Sequence, residues 1–251
     1  MAASPFVLLP GERLDDLQRK GLLLIQHPDR FCFSADAVLL ADFARVRPHE
    51  IAVDLGTGTG VLPLLLSARE ETAGFDALEL DPYQADMARR SVEGNGLSKR
   101  LRVITGDLRS LPDVLPRAHY TLVVCNPPYR RQGQGQAASA ERDSAVREGS
   151  CSFSDVALAA RSLLRFSGRF CFCFPADRLS EAFAVCEGQR LTPKRLRFVH
   201  ALPGKQACLF LAECAFGGRP GLTVLPPLFL RDSEGRETPE IRQIYTQETF
   251  P

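Results

Sequence analysis

The run Ile51 to Glu70, IAVDLGTGTGVLPLLLSARE, limits what this chain can fold into more than any other stretch. Five apolar-rich residues read as a buried strand. A glycine turn follows, then a helix whose Pro63 falls in the first turn, where a missing N–H breaks no helical bond. Entry through Gly56, Gly58 and Gly60 lets the backbone turn tightly and lets a ligand come close to it. The helix start aims free N–H groups into the same space.

The same alternation continues along the chain. FDALEL (75–80), LRVITGD (101–107), YTLVVC (120–125), GRFCFCFP (168–175), KRLRFVHAL (194–202) and QACLFLAECAF (206–216) read as strands. Helical patterns at 81–97, 153–165 and 177–189 separate them, the second with Ser154 as its N-cap. Strands alternating with helices imply a parallel sheet covered on both faces. The link near Pro203 and Gly204 is too short for a parallel crossover, so the last pair is antiparallel. Residues 1–48 read as an N-terminal cap, 49–221 as the sheet domain and 222–251 as a polar tail without assigned structure. The Gly-, Gln- and Ser-rich stretch 130–150 reads as a mobile loop.

Composition narrows the function classes. Over 251 residues the net charge is +1, so a nucleic-acid partner would need a local basic patch. No apolar run suits a membrane helix, and the N-terminus has no signal-peptide pattern, so the expected setting is cytoplasmic. Eight scattered cysteines form no CxxC pair and four histidines show no ligand spacing, which points away from metal and disulfides.

The turn DLGTGTG is spaced GxGxG, with Asp54 in front of it. A carboxylate there repels a pyrophosphate and suits a cationic amine. Glu79, ending the second strand, is placed to accept both hydroxyls of a ribose. Asp107, ending the third, is placed to accept from an adenine amine. Ribose, adenine and a charged amino-acid tail together describe S-adenosylmethionine. The fourth strand ends in Asn126-Pro127-Pro128-Tyr129. The Asn126 side-chain oxygen and the Pro127 carbonyl can accept from the two N–H groups of a planar amine. The prolines stiffen the turn, and Tyr129 can stack on a flat target.

In this order the motifs resemble the class I methyltransferases. The resemblance implies a Rossmann-like α/β fold: a seven-stranded, mostly parallel sheet with an antiparallel last strand and helices on both faces. It implies cofactor contacts at Asp54, Gly56, Thr57, Gly58, Gly60, Glu79, Leu80, Asp107, Leu108 and Asn126. NPPY is similar to the signature of enzymes that methylate adenine N6, guanine N2 or glutamine N5.

The segment ERLDDLQRKGLLLIQHPDRFCFSADAVLLADFA (12–44), leading into the glycine turn, resembles the bacterial tRNA1(Val) adenine-N6-methyltransferase family, from about Arg13 to Phe216. That implies a tRNA adenine beside the anticodon as target, Ser34, Asp36 and Ala37 over the cofactor site, and a tail, LTVLPPLFLRDSEGRETPEIRQIYT, that closes as an apolar strand, a Gly-containing turn and a short terminal helix. Phosphate contacts are expected from Arg130, Arg131, Lys194, Arg195, Arg197 and Lys205, in a monomer or weak dimer. The alternatives are a protein glutamine N5-methyltransferase, a DNA adenine methyltransferase, or a silent methyltransferase-like binding module.

Overall fold

The computed structural model describes residues 5–30, 32–127 and 151–246. The stretch expected as a loop at 130–150 lies outside the described residues, as do Pro128 and Tyr129.

An antiparallel pair, β1 (Arg13–Asp16) and β2 (Leu23–Gln26), leads to helix α1 (Ala35–Ala44). The alternating units follow: β3 (Ile51–Leu55), α2 (Val61–Arg69), β4 (Gly74–Glu79), α3 (Pro82–Gly94), β5 (Leu101–Thr105) and β6 (Tyr120–Cys125). Then come α4 (Phe153–Leu163), β7 (Leu164–Pro175), α5 (Leu179–Gly188), β8 (Leu191–His200) and β9 (Ala207–Phe216). Two short strands, β10 (Thr223–Val224) and β11 (Leu228–Phe229), precede α6 (Pro239–Thr246).

β3 to β9 are the seven long strands of one sheet, ordered β8-β9-β7-β6-β3-β4-β5. β9 runs against both neighbours, as the short hairpin link required. It lies between β7 and β8 rather than at the sheet's end. The crossover through α5 leaves β7 and β8 parallel with one strand's width between them, and a strand placed there pairs both of its backbone edges. The tail closes in short strands, a turn at Gly235 and a terminal helix, as the resemblance implied. β10 and β11 both pair parallel with the outer edge of β8, which would otherwise be open.

Strand alternation divides the core. Ala52, Leu122, Val124, Cys171, Cys173 and Leu211 pack on the face covered by α1, α2 and α6. Val53, Leu55, Val123, Cys125, Phe170, Phe172 and Phe174 pack on the face covered by α4 and α5. Phe170, Phe172, Phe174 and Phe210 are fully buried, each stabilising the fold by about 1.5–3 kcal/mol. The α4 cap is Ser152, not Ser154. Its hydroxyl accepts from Asp155 N at 3.2 Å while the Asp155 carboxylate accepts from Ser152 N at 2.8 Å, a reciprocal box that Ser154 could not form.

A buried charge network ties α1 to the sheet. Arg169 on β7 donates to Glu50 at 2.7 Å, to Glu213 on β9 at 3.0 Å and to the Ala44 carbonyl at 3.0 Å. Arg195 on β8 donates to the same Glu213 at 3.0 Å. α6 buries Ile241 and Ile244 against the α1 side, and Arg19 donates to the Tyr245 carbonyl. Among the described residues no helix is long and apolar enough to cross a membrane.

Candidate active site

β5, β4, β3 and β6 are parallel neighbours, so their carboxyl ends share one edge. Register sets the site. Asp54 pairs across to Val124, two residues before Asn126, while Leu55 pairs with Leu78, beside Glu79. β6 lies on one side of β3 and β4 on the other, a switch in strand order that opens a crevice at this edge.

The start of the glycine turn is tied to the neighbouring strand β4. Gly56 N and Thr57 N both donate to the Leu78 carbonyl at 2.9 Å. Gly56, Gly58 and Gly60 all take positive φ, which explains the residue type. A Cβ on Gly56 would meet nothing within 4 Å, so the turn faces open space. Glu79 braces it. One carboxylate oxygen accepts from Gly58 N at 2.7 Å and the other from Asp81 N at 2.9 Å. Burial raises the Glu79 pKa, opposed by these backbone donors. Each oxygen keeps a lone pair for a ribose hydroxyl.

Asp54 is almost wholly buried, 3% exposed. Burial pushes its pKa up to about 7; the Thr57 hydroxyl restrains that rise and the Glu79 charge adds to it. Thr57 Oγ1 is itself buried and, among the described residues, has no hydrogen bond of good geometry. A carboxylate that ionises only at cost, beside a buried hydroxyl and an open glycine turn, fits the cationic amino-acid end of S-adenosylmethionine. Leu80, 54% exposed, offers apolar surface next to Glu79.

Asp107 is already occupied. It caps the short turn Leu108–Ser110 by accepting from Arg109 N at 2.8 Å, and the Arg109 guanidinium reaches its outer oxygen at 2.6 Å. The Arg109 bonds lower its pKa. An adenine amine would have to share or displace that fork.

The N-terminal segment is latched beside the site. Arg30 reaches Asp81 at 3.3 Å and lies over the Tyr83 ring, 4.6 Å from its centroid. Asp81 also caps α3, accepting from Tyr83 N at 2.9 Å. Ser34 is the exposed N-cap residue of α1, and Ala37 is buried one turn in. The Asp36 pKa is raised by burial, and its charge is felt by Cys208 and Tyr245, on the β9 and tail side.

Asn126 is half-buried at the end of β6, and Pro127 is buried. The Cys173 thiol of β7 lies 3.0 Å from Asn126 Oδ1. Sequence reading missed Cys173, which looked like one more small core residue. Pro128, Tyr129, Arg130 and Arg131 lie outside the described residues.

Two residues expected at phosphates have other work. Arg195 donates to Glu213 and stacks on Phe43 at 4.4 Å, and Arg197 donates to Glu240 at 2.7 Å and to the Pro226 carbonyl. Alternation along β8 turns both onto the face that α1 and α6 cover. Lys194 donates to the Arg219 carbonyl at 3.1 Å. Lys205 is exposed on the β8–β9 turn, at the carboxyl edge.

The Methyltransferase small domain model matches residues 32–144. A Porphyromonas gingivalis tRNA1(Val) (adenine(37)-N6)-methyltransferase is 30% identical over 184 residues, covering 71% of this chain and 72% of that protein. The Cronobacter sakazakii protein of the same name is 30% identical over 206 residues, 81% of this chain and 82% of its own length. A crystal structure from Agrobacterium tumefaciens, described as a predicted O-methyltransferase, is 26% identical with a TM-score of 0.69, covering 84% of this chain and 95% of that one.

Proposed function

The chain belongs to the tRNA1(Val) (adenine(37)-N6)-methyltransferase family, and on that premise we propose that it methylates the exocyclic N6 amine of an adenine in tRNA, beside the anticodon. The observation that carries the reading is the place of Asn126, at the carboxyl edge and one strand from Asp54.

When bound, S-adenosylmethionine supplies a methyl group on a positively charged sulfur, open to a nitrogen lone pair. Asp54 and Thr57 hold its amino-acid end, and Glu79 its ribose. The adenine amine is a poor nucleophile because its lone pair is delocalised into the ring. Asn126 Oδ1 and the Pro127 carbonyl accept from its two N–H groups and draw the nitrogen toward a tetrahedral form. Pro127 donates no N–H and holds its carbonyl stiffly, so the acceptors are set before the base arrives. Tyr129, read from sequence alone, stacks on the purine. The amine sheds one proton to water after methylation, so no base of shifted pKa is required. Residues 1–48 act as a cap over the cofactor, and a tRNA substrate places the work in the cytoplasm.

The test is methyl transfer from labelled S-adenosylmethionine into total RNA and total protein of a host lacking the gene. Label in tRNA as N6-methyladenosine is expected. Label in protein as methylglutamine would overturn the substrate.

A further inference from the structure

The amino-terminal edge of the sheet, opposite the active site, carries a second cluster. Phe216, the last residue of β9, is its centre. The Arg161 guanidinium of α4 sits 3.7 Å from the Phe216 ring centroid, and that of Arg190 sits 5.7 Å away. Phe166 meets the same ring edge-on at 5.8 Å and leaves 64% of its surface exposed. Gly217 lets the Phe166 ring settle so close that a Cβ there would lie 2.3 Å from it. Gly217 N donates to the Arg190 carbonyl at 2.9 Å, and Lys194 to the Arg219 carbonyl at 3.1 Å, which gathers three chain segments around the rings. Arg165, Arg190 and Arg219 are exposed.

Among the described residues, none of these five cations forms an ion pair with a carboxylate. Elsewhere the chain pairs such groups, as Arg195 and Arg197 show. In a protein of net charge +1, unpaired like charges around an exposed aromatic ring repel one another, and a polyanion relieves that repulsion. Cations interleaved with an exposed ring suit a nucleic acid, whose phosphates pair with the cations and whose unpaired bases stack on the ring.

Strand rise gives the distance. A bulge in β7 sets Leu164 level with Tyr120 and Arg169 level with Leu122, so Phe166 lies near the level of Tyr120, six residues before Asn126 on β6 and about 20 Å away at ~3.3 Å per residue. A base held at Asn126 cannot also reach this patch.

We propose that Arg161, Arg165, Phe166, Arg190, Lys194 and Arg219 form a second contact surface for the RNA substrate, gripping the body of the tRNA outside the anticodon arm. This rests on the tRNA reading above. The active-site edge selects the adenine, and the far patch adds affinity through phosphates without reading sequence.

The test compares wild type with Arg165→Glu/Arg219→Glu, which spares the Arg161 stack and every active-site residue. Full-length tRNA and an isolated anticodon stem-loop are assayed for binding and methylation. The expected result is a KM for full-length tRNA raised ~10-fold or more, and a salt dependence of binding shallower by about two phosphate contacts. The kcat at saturating tRNA, the S-adenosylmethionine affinity and the stem-loop KM stay at wild-type values. Phe166→Ala should weaken tRNA binding without changing the salt slope. Equal handling of full-length tRNA by wild type and both variants would overturn the proposal. So would equal losses on tRNA and stem-loop, which would trace the effect to the active site or the fold. Wild type that binds tRNA through the patch yet methylates none would instead sink the tRNA function and leave the surface standing.

Discussion

Cys173 Sγ lies 3.0 Å from Asn126 Oδ1, bridging β7 to the end of β6. The thiol donates and the amide oxygen accepts. That bond marks Oδ1 as the accepting end of the Asn126 amide. Cys173 is thereby placed to position the Asn126 amide.

Cys173→Ala should lower kcat about five-fold, the effect of losing ~1 kcal/mol of net hydrogen bonding, while KM for tRNA and cofactor affinity hold. Cys173→Ser, which keeps a donor, should restore most of the rate. A fall in thermal stability with kcat unchanged would reduce Cys173 to a core residue.

Asp54 predicts a pH dependence. Its pKa in the free protein is up at about 7, against 3.8 for the ordinary side chain. Pairing with the cofactor's cationic amine requires the ionised form. Cofactor affinity should fall by up to about ten-fold per unit as pH drops below 7. Stability of the free protein has the opposite sign. The folded state holds the proton more tightly than the unfolded one, so stability declines as pH rises from about 4 to about 7. Thermal shift with and without S-adenosylmethionine at pH 6 and pH 8 checks both, with the larger ligand shift expected at pH 8. Asp54→Asn should abolish the difference; a difference that persists would assign the titration to another group.

Arg169→Leu should destabilise the fold by about 3–5 kcal/mol, because Glu50 and Glu213 would remain buried, Glu50 without a cation and Glu213 with Arg195 alone. Urea unfolding measures it, and limited proteolysis should show earlier cleavage near Arg45, where α1 meets the network. A loss below about 1 kcal/mol would mean the network does not anchor α1.

What was legible in the sequence was local. The glycine turn announced itself through residues that only a positive φ explains, and NPPY through a pattern that no ordinary turn needs. The reversed pairing of β9 followed from the length of one link. Facts that depend on register were hidden. Nothing near Cys173 in sequence marks it as a neighbour of Asn126, 47 positions earlier. Arg195 and Arg197 looked like a basic run, yet strand alternation turns them under α1 and α6. The tail strands were legible only through the family resemblance, because two residues carry no periodicity of their own, and the outer edge of β8 pairs with them.

Whether Asn126 activates the target amine is decided by single-turnover methyl transfer by Asn126→Ala on full-length tRNA, with cofactor affinity measured on the same sample. The expected result is a rate lowered ~100-fold or more with S-adenosylmethionine binding nearly intact. A near-wild-type rate, or a loss matched by weaker cofactor binding, would contradict it.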